Sequence, residues 1–257
     1  MKPICRTLLI CLLPISALVA QEPAAPATAP AEKQLSYQIE FSNLPEEKRK
    51  EYAVKLAEGQ RLYTEQRIFE SLEKAGEAKA IFENDPQLLT LIGACQVEFR
   101  NFDKAMENFK KADELAPGMS AVLFNIAELN FVTKDWKQAE INLQKVSDLT
   151  AASTDRGDIQ LSRLVEFKLL LTKLKLGKKE EALKLAAKYD FLDDSPFPYY
   201  AQAAISFSEG RDLDAEASIA RAARIFQKPL VVAPWQDTMV EFGYIKGFFG
   251  GDQAEAK

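Results

Sequence analysis

Histidine is absent from all 257 residues. That removes the usual general base near neutral pH and the commonest metal ligand. Cysteine is nearly as scarce. Cys5 and Cys11 lie in the first twenty positions, which leaves Cys95 as the single thiol downstream. Once that start is removed no intramolecular disulfide is possible, and the fold rests on packing, which a chain of this size supports. A basic excess is also missing. The formal net charge is −5, and binding to phosphate backbones needs a basic face, so nucleic acid is not an expected partner. Downstream of the start no apolar run is long enough to span a membrane.

Chemistry-bearing constellations are missing as well. No serine, threonine or cysteine has a recognisable base arrangement. Gly177-Lys178 lacks the upstream glycine of a phosphate loop. Asp193-Asp194 before Ser195-Pro196 reads as a turn and helix start, not a metal or acid/base pair. The basic "KLKLGKK" from Lys173 to Lys179 reads as a solvated helix end. The chain is therefore read as a non-enzyme without cofactor or metal.

What is present begins with "MKPICRTLLICLLPISALVAQ". Lys2 and Arg6 precede an apolar run, Leu8 to Val19, too short for a bilayer, so residues 1–20 read as a secretory signal. Ile10 before Cys11 does not suit a lipid-anchored start. Export to the periplasm or beyond, across a Gram-negative-type envelope, is the expectation. Residues 21–43 form a Pro/Ala-rich spacer and an extended lead-in. Within it "LSYQIEF" places Leu35, Tyr37, Ile39 and Phe41 at every second position, a strand signal with no sheet to join.

From Pro45 onward the helical period predicts helices at 45–63, 67–82, 87–99, 102–115, 120–133, 136–149, 161–176, 179–189, 197–209, 212–226 and 235–247. Short connections make antiparallel hairpins of them. Two stretches repeat at a shift of 34 residues. Leu89 then meets Leu123, Ile92 Ile126, Gly93 Ala127, Phe102 Trp136, Ala105 Ala139, Phe109 Leu143, Ala112 Val146 and Leu115 Leu149. Large residues match large and small match small. Small ones let two helices approach, and Phe102 and Trp136 plug the space to a neighbouring hairpin.

A 34-residue helix–turn–helix unit of this kind resembles the tetratricopeptide repeat (TPR) family. The resemblance implies an all-α, right-handed α-solenoid of antiparallel helical hairpins with a C-terminal capping helix. Its parts are a degenerate hairpin at 44–85, with Gly76 and Ala78 as its small residues, and repeats at 86–119 and 120–153. A third unit at 154–195 follows an insertion and is anchored by Gly177, Ala182 and Leu192, with Leu170 where the family has a small residue. A fourth at 196–228 is anchored by Gly210, Ala215, Ala222 and Phe226. The capping helix at 229–249 carries Trp235, Met239, Phe242, Ile245 and Phe249 on one stripe, with Pro234 in its first turn, Gly250-Gly251 at its end and a tail over 250–257.

The resemblance further implies a concave groove lined by the first helix of each unit. Carried onto this chain, its positions include Gln87, Thr90, Ala94 and Val97 in the first repeat. Beyond them, Phe124, Asn125, Glu128, Phe131, Phe167, Lys168, Leu171, Tyr200 and Phe207 are the candidate partner-binding residues. Asn125 matches one place where family members hold a peptide carboxylate and Lys168 sits where a basic residue can occur, but Thr90 and Ala94 stand in place of the first-unit lysine and asparagine of such a clamp. A groove for apolar side chains of a peptide or protein segment fits better. Aromatic residues at helical spacing also serve as core, and a tightly wound array, the chain's own end or the "LSYQIEF" segment are alternative covers for them. The expected function is a non-catalytic interaction scaffold. The alternative is a structural subunit of an envelope assembly such as a pilus, secretion or outer-membrane complex. The oligomeric state is left open.

Overall fold

In a computed structural model, residues 34–246 are described apart from 152, 154 and 155. The signal-like start, the spacer as far as Lys33, Phe249 and Gly250-Gly251 lie outside the described residues. Twelve helices make up the described chain, with no strand among these residues. They are α1 (Ser36–Ser42), α2 (Glu46–Thr64), α3 (Ile68–Lys79), α4 (Pro86–Glu98), α5 (Phe102–Leu115), α6 (Ser120–Val132), α7 (Trp136–Thr150), α8 (Arg156–Lys175), α9 (Lys179–Ala186), α10 (Phe197–Ser208), α11 (Asp212–Ile225) and α12 (Pro229–Phe242). Consecutive helices pack as antiparallel pairs in the manner of a solenoid. The described residues fall into two compact units, one as far as Val122 and one from Leu123 onward.

One backbone device makes every pair. Gln66, Arg100, Lys134, Gly177 and Gly210 all have φ between 59° and 75°, the left-handed region. Each sits two residues before a return helix. The amide after each one donates to the carbonyl five residues back: Arg67 N to Leu62 O, Asn101 N to Gln96 O, Asp135 N to Asn130 O, Lys178 N to Lys173 O and Arg211 N to Ser206 O, at 2.8 or 2.9 Å. This closure satisfies a helix-end carbonyl and reverses the chain at once. The fourth residue of each return helix is then small and fully buried: Ser71, Ala105, Ala139, Ala182 and Ala215.

In the first unit the register of the opening hairpin differs from the expectation. Its close approach is made by Gly59 and Ser71, each 34 residues before Gly93 and Ala105, whereas a Cβ on Gly76 would touch nothing within 4 Å. Ser71 Oγ donates to Gly59 O at 2.8 Å, so a hydroxyl takes the place of a methyl group there. Asp85 caps α4 by accepting from Gln87 N at 2.7 Å, with Pro86 as first helical residue. It also takes the Tyr52 hydroxyl at 2.7 Å, which ties α2 to the start of α4. Cys95 is buried beside Ser71 Oγ, and burial pushes its thiol up to about 11, an inert setting.

"LSYQIEF" is not a strand. Residues 36–42 form α1, and Tyr37, Phe41 and Leu44 lie on the core of α2 and α4 while Leu35 and Ile39 stay exposed. Phe41 meets Tyr52 and Phe82, both at 5.3 Å between ring centroids. Spacings of four and three residues serve a helix as readily as spacing two serves a strand, and the nearby apolar surface decides.

In the second unit, α9 is only eight residues long. The chain from 187 to 196 runs as turns and bends, so Leu192 is exposed instead of anchoring the third pair. Leu149 is half exposed as well. Lys173 is not a solvated end: it is buried and paired with Glu140 at 2.9 Å and Glu181 at 2.5 Å. The last helix runs from Pro229 to Phe242, earlier than the stripe predicts. Pro234 lies inside it, and Gly243, at φ 91°, ends it well before Gly250-Gly251.

Two substitutions probe these crossings and corners. A Cβ on Gly93 would lie 2.5 Å from the Phe109 ring. Gly93→Ala is expected to cost about 1–3 kcal/mol by overpacking, read from urea melts. Adding Phe109→Leu, which copies the Ala127 and Leu143 pairing of the next repeat, should recover most of the loss. Lys134→Gly relieves a left-handed backbone without a lost contact, and should raise stability by about 0.5–1 kcal/mol in the same assay.

Candidate functional site

The sequence-derived residues of the second unit gather on one face, built from α6, α8 and α10. Phe124, Asn125, Glu128 and Phe131 come from α6, Phe167, Lys168 and Leu171 from α8, and Tyr200 and Phe207 from α10. All are buried except Phe207, which is half-buried. Helix α12 lies over part of the face, covering Phe131, Phe167, Lys168 and Tyr200. Trp235 packs on Phe167 at 5.3 Å, Tyr200 at 5.7 Å and Phe197 at 6.3 Å between centroids. Phe242 stacks on Phe131 at 6.2 Å and meets Trp136 at 5.8 Å. Tyr244, just beyond the helix, stacks on Phe207 at 5.2 Å. The chain's own end is thus the cover among the alternatives raised by the sequence. Each buried ring contributes on the order of 1.5–3 kcal/mol by leaving water.

Gln87, Thr90, Ala94 and Val97 belong to the first unit. Thr90, Ala94 and Val97 are buried there, Ala94 in the core of α2, α3 and α4. Thr90 Oγ1 donates to its own helix at Pro86 O, 2.7 Å away.

The covered face holds charge. Lys168 Nζ lies 3.0 Å from Glu128 Oε1 and 3.1 Å from Glu241 Oε2 on α12, with the Phe131 ring beneath it at 4.5 Å. Glu128 Oε2 and Glu241 Oε1 are buried without a protein hydrogen-bond partner. Burial pushes the Glu128 carboxyl up, Lys168 opposes that, and Glu241 adds to it. For Lys168 burial pulls down, and the two carboxylates outweigh it and hold the ammonium above its ordinary value. Asp237, one turn before Glu241, is pushed up to about 6 by burial and then by Glu241. Two carboxylates therefore share one buried ammonium, with the half-buried Asp237 carboxyl one turn away.

Lys168 and Glu128 are legible in the sequence as groove positions. Asp237, Glu241 and Trp235 are not. The stripe of α12 is visible, but the acids between its apolar residues are the available sign that it meets a buried lysine. Among the described residues no group of three histidine, cysteine or acidic side chains is placed to hold a metal ion, and no helix is long and apolar enough to cross a membrane.

No protein-family model and no curated protein matches this sequence. A solved structure does: a thermophilic TPR protein of Thermus thermophilus, 19% identical, with a TM-score of 0.53 over 74% of this chain and 99% of the other. The fold is accordingly that of a TPR-like helical repeat.

Removing the ammonium is the sharpest check on the buried charges. Lys168→Met strands Glu128 and Glu241 and should cost about 3–5 kcal/mol at pH 8. The penalty should shrink at pH 5, where the stranded Glu128 carboxyl, pushed up by burial, takes up a proton. Paired urea melts at the two pH values give both numbers, and equal penalties at both would refute the arrangement.

Proposed function

We propose that the chain is a non-catalytic protein–protein interaction scaffold that acts after export and takes up a peptide or protein segment on the face of α6, α8 and α10. One observation carries the reading. The face already receives a helix, α12, through the regularly spaced side chains Trp235, Met239 and Phe242, all buried against it. A surface able to hold one amphipathic helix has the pockets that helix-in-groove recognition requires. Curved helical-repeat surfaces are in general used for binding rather than chemistry. The acidic balance of the chain supports a protein partner over nucleic acid. The signal-like residues 1–20 support export, to the periplasm or outside the cell.

A second reading follows from a different observation. Phe69, Leu192, Leu213 and Leu230 are each at least 79% exposed. A structural subunit of an envelope assembly would bury such residues permanently against its neighbours, and the occupied face would then be plain packing. Interfaces of that kind are large and apolar.

Photoreactive side chains placed at Phe207 and, separately, at Leu213 of the full chain in its own cells separate the two. The scaffold reading expects a defined protein captured from position 207 and none from 213, with soluble monomer recoverable. Capture only at 213, in a complex that survives high salt, would replace it with the assembly reading.

A further inference from the structure

Helix α12 is a poor permanent occupant of its own site. A three-residue connection, Phe226, Gln227 and Lys228, joins it to α11. Pro234 interrupts its hydrogen-bond ladder in the middle, which leaves the turn before it weakly joined to the rest. Leu230, in that first turn, is 89% exposed and contributes almost nothing to docking. Val232 is the one buried residue before Pro234, and the later half supplies the rest of the hold through Trp235, Thr238, Met239 and Phe242.

The charges cut both ways: Glu241 pairs with Lys168, yet it brings a second carboxylate into a buried site. Without α12, the face carries one ammonium, Lys168, already matched by one carboxylate, Glu128, 3.0 Å away. Docking adds Glu241 at 3.1 Å from the same ammonium and brings Asp237 one turn away. It also leaves Glu128 Oε2 and Glu241 Oε1 buried without a protein partner. A second carboxylate sharing a dry site is tolerated best when one of them holds a proton. The groups facing this point are Glu128 from α6, Lys168 and Lys175 from α8, Tyr200 from α10, and Asp237 and Glu241 from α12, with Lys175 resting over the Phe242 ring at 4.7 Å.

We propose that α12 is an autoinhibitory occupant of this face, displaced by an amphipathic helix of another protein that bears the same Trp, Met and Phe type stripe at spacings of four and three but uncharged polar residues where α12 has Asp237 and Glu241. An amide at the second place meets Lys168 and Glu128 without adding negative charge, so the incoming helix equals α12 on apolar burial and spares the extra carboxylate. This rests on the scaffold reading above and adds the partner's chemistry and the lock that regulates it. Docking of α12 is also linked to protons. Burial and Glu241 push Asp237 up to about 6, so the docked state binds a proton more readily than the undocked one. Docking is therefore strongest below the ordinary carboxylate range and weakens as pH rises through about 6. At neutral pH the lock is at its loosest.

The test uses the full chain and a fluorescein-labelled peptide with the sequence of residues 228–246 carrying Asp237→Asn and Glu241→Gln. By anisotropy at pH 7.5 the peptide should bind the wild-type chain. It should bind about tenfold more weakly to a chain with the same two substitutions in its own α12, since that chain closes more tightly. Met239→Asp in the peptide should abolish binding. Hydrogen exchange of residues 229–242 in the wild-type chain should report opening at least about tenfold more frequent than that of residues 197–208, and more frequent at pH 7.5 than at pH 5 after correction for intrinsic rates. The proposal is overturned if the peptide does not bind, if both chains bind it equally, or if α12 exchanges only together with α10. A peptide that binds as expected while no cellular protein is captured at position 207 would sink the scaffold reading and leave the lock intact. A captured protein that binds both chains equally would do the reverse.

Discussion

Every helix pair among the described residues depends on a three-residue chain reversal closed by one back-reaching amide. The left-handed residue turns the backbone, and the next amide reaches back to a carbonyl five positions earlier. No slack remains, so the return helix starts against its partner and its fourth residue lies in the crossing. That residue must be small. Ser71, Ala105, Ala139, Ala182 and Ala215 obey this in both units. Where the crossing is tightest even a methyl group is excluded, as at Gly93, whose partner Phe109 fills the space. The larger apolar residues then pack around crossings already set by the turn.

The face of α6, α8 and α10 is the product of this regularity. Pairs built alike present their first helices alike, and side chains from each accumulate on one side. Such a surface of aromatic rings does not stay bare in water. The chain covers it with α12, which supplies rings to match rings and carboxylates to meet Lys168. The apolar match is close and the charge match is one acid too many. A rigid core element would carry no such imbalance. An element meant to come away gains from it, because the same contacts that hold it also make its hold depend on protonation.

Much of this is legible in the residues, for particular reasons. The 34-residue register shows through because Phe109 and Leu143, or Ala105 and Ala139, are alike in character at equal intervals. The opening hairpin invites a wrong register because Ser71 hides the small position behind a hydroxyl, while Gly76 offers a glycine with nothing near it. Tyr37 and Phe41 satisfy both strand and helix spacing, and only the rings of Tyr52 and Phe82 decide between them. Pro234 has the look of a helix start and is a helix interior. The candidate residues on α6, α8 and α10 emerge through the repeat. Their neighbours on α12 do not, since Lys168 and Glu241 are 73 positions apart and no periodicity links them.

The three-residue reversals also dictate where this architecture tolerates change in length. A residue added at Arg100 or Lys134 would break the back-reaching amide and rotate the return helix off its crossing, so insertions inside a pair are ruinous. At the joints between pairs no such bond is found among the described residues. The chain has used that freedom once already, lengthening the stretch that leads into α8 and running that helix to twenty residues. An engineer wishing to splice in a tag, a sensor or a whole further pair should cut at a joint between pairs and leave the tight corners alone.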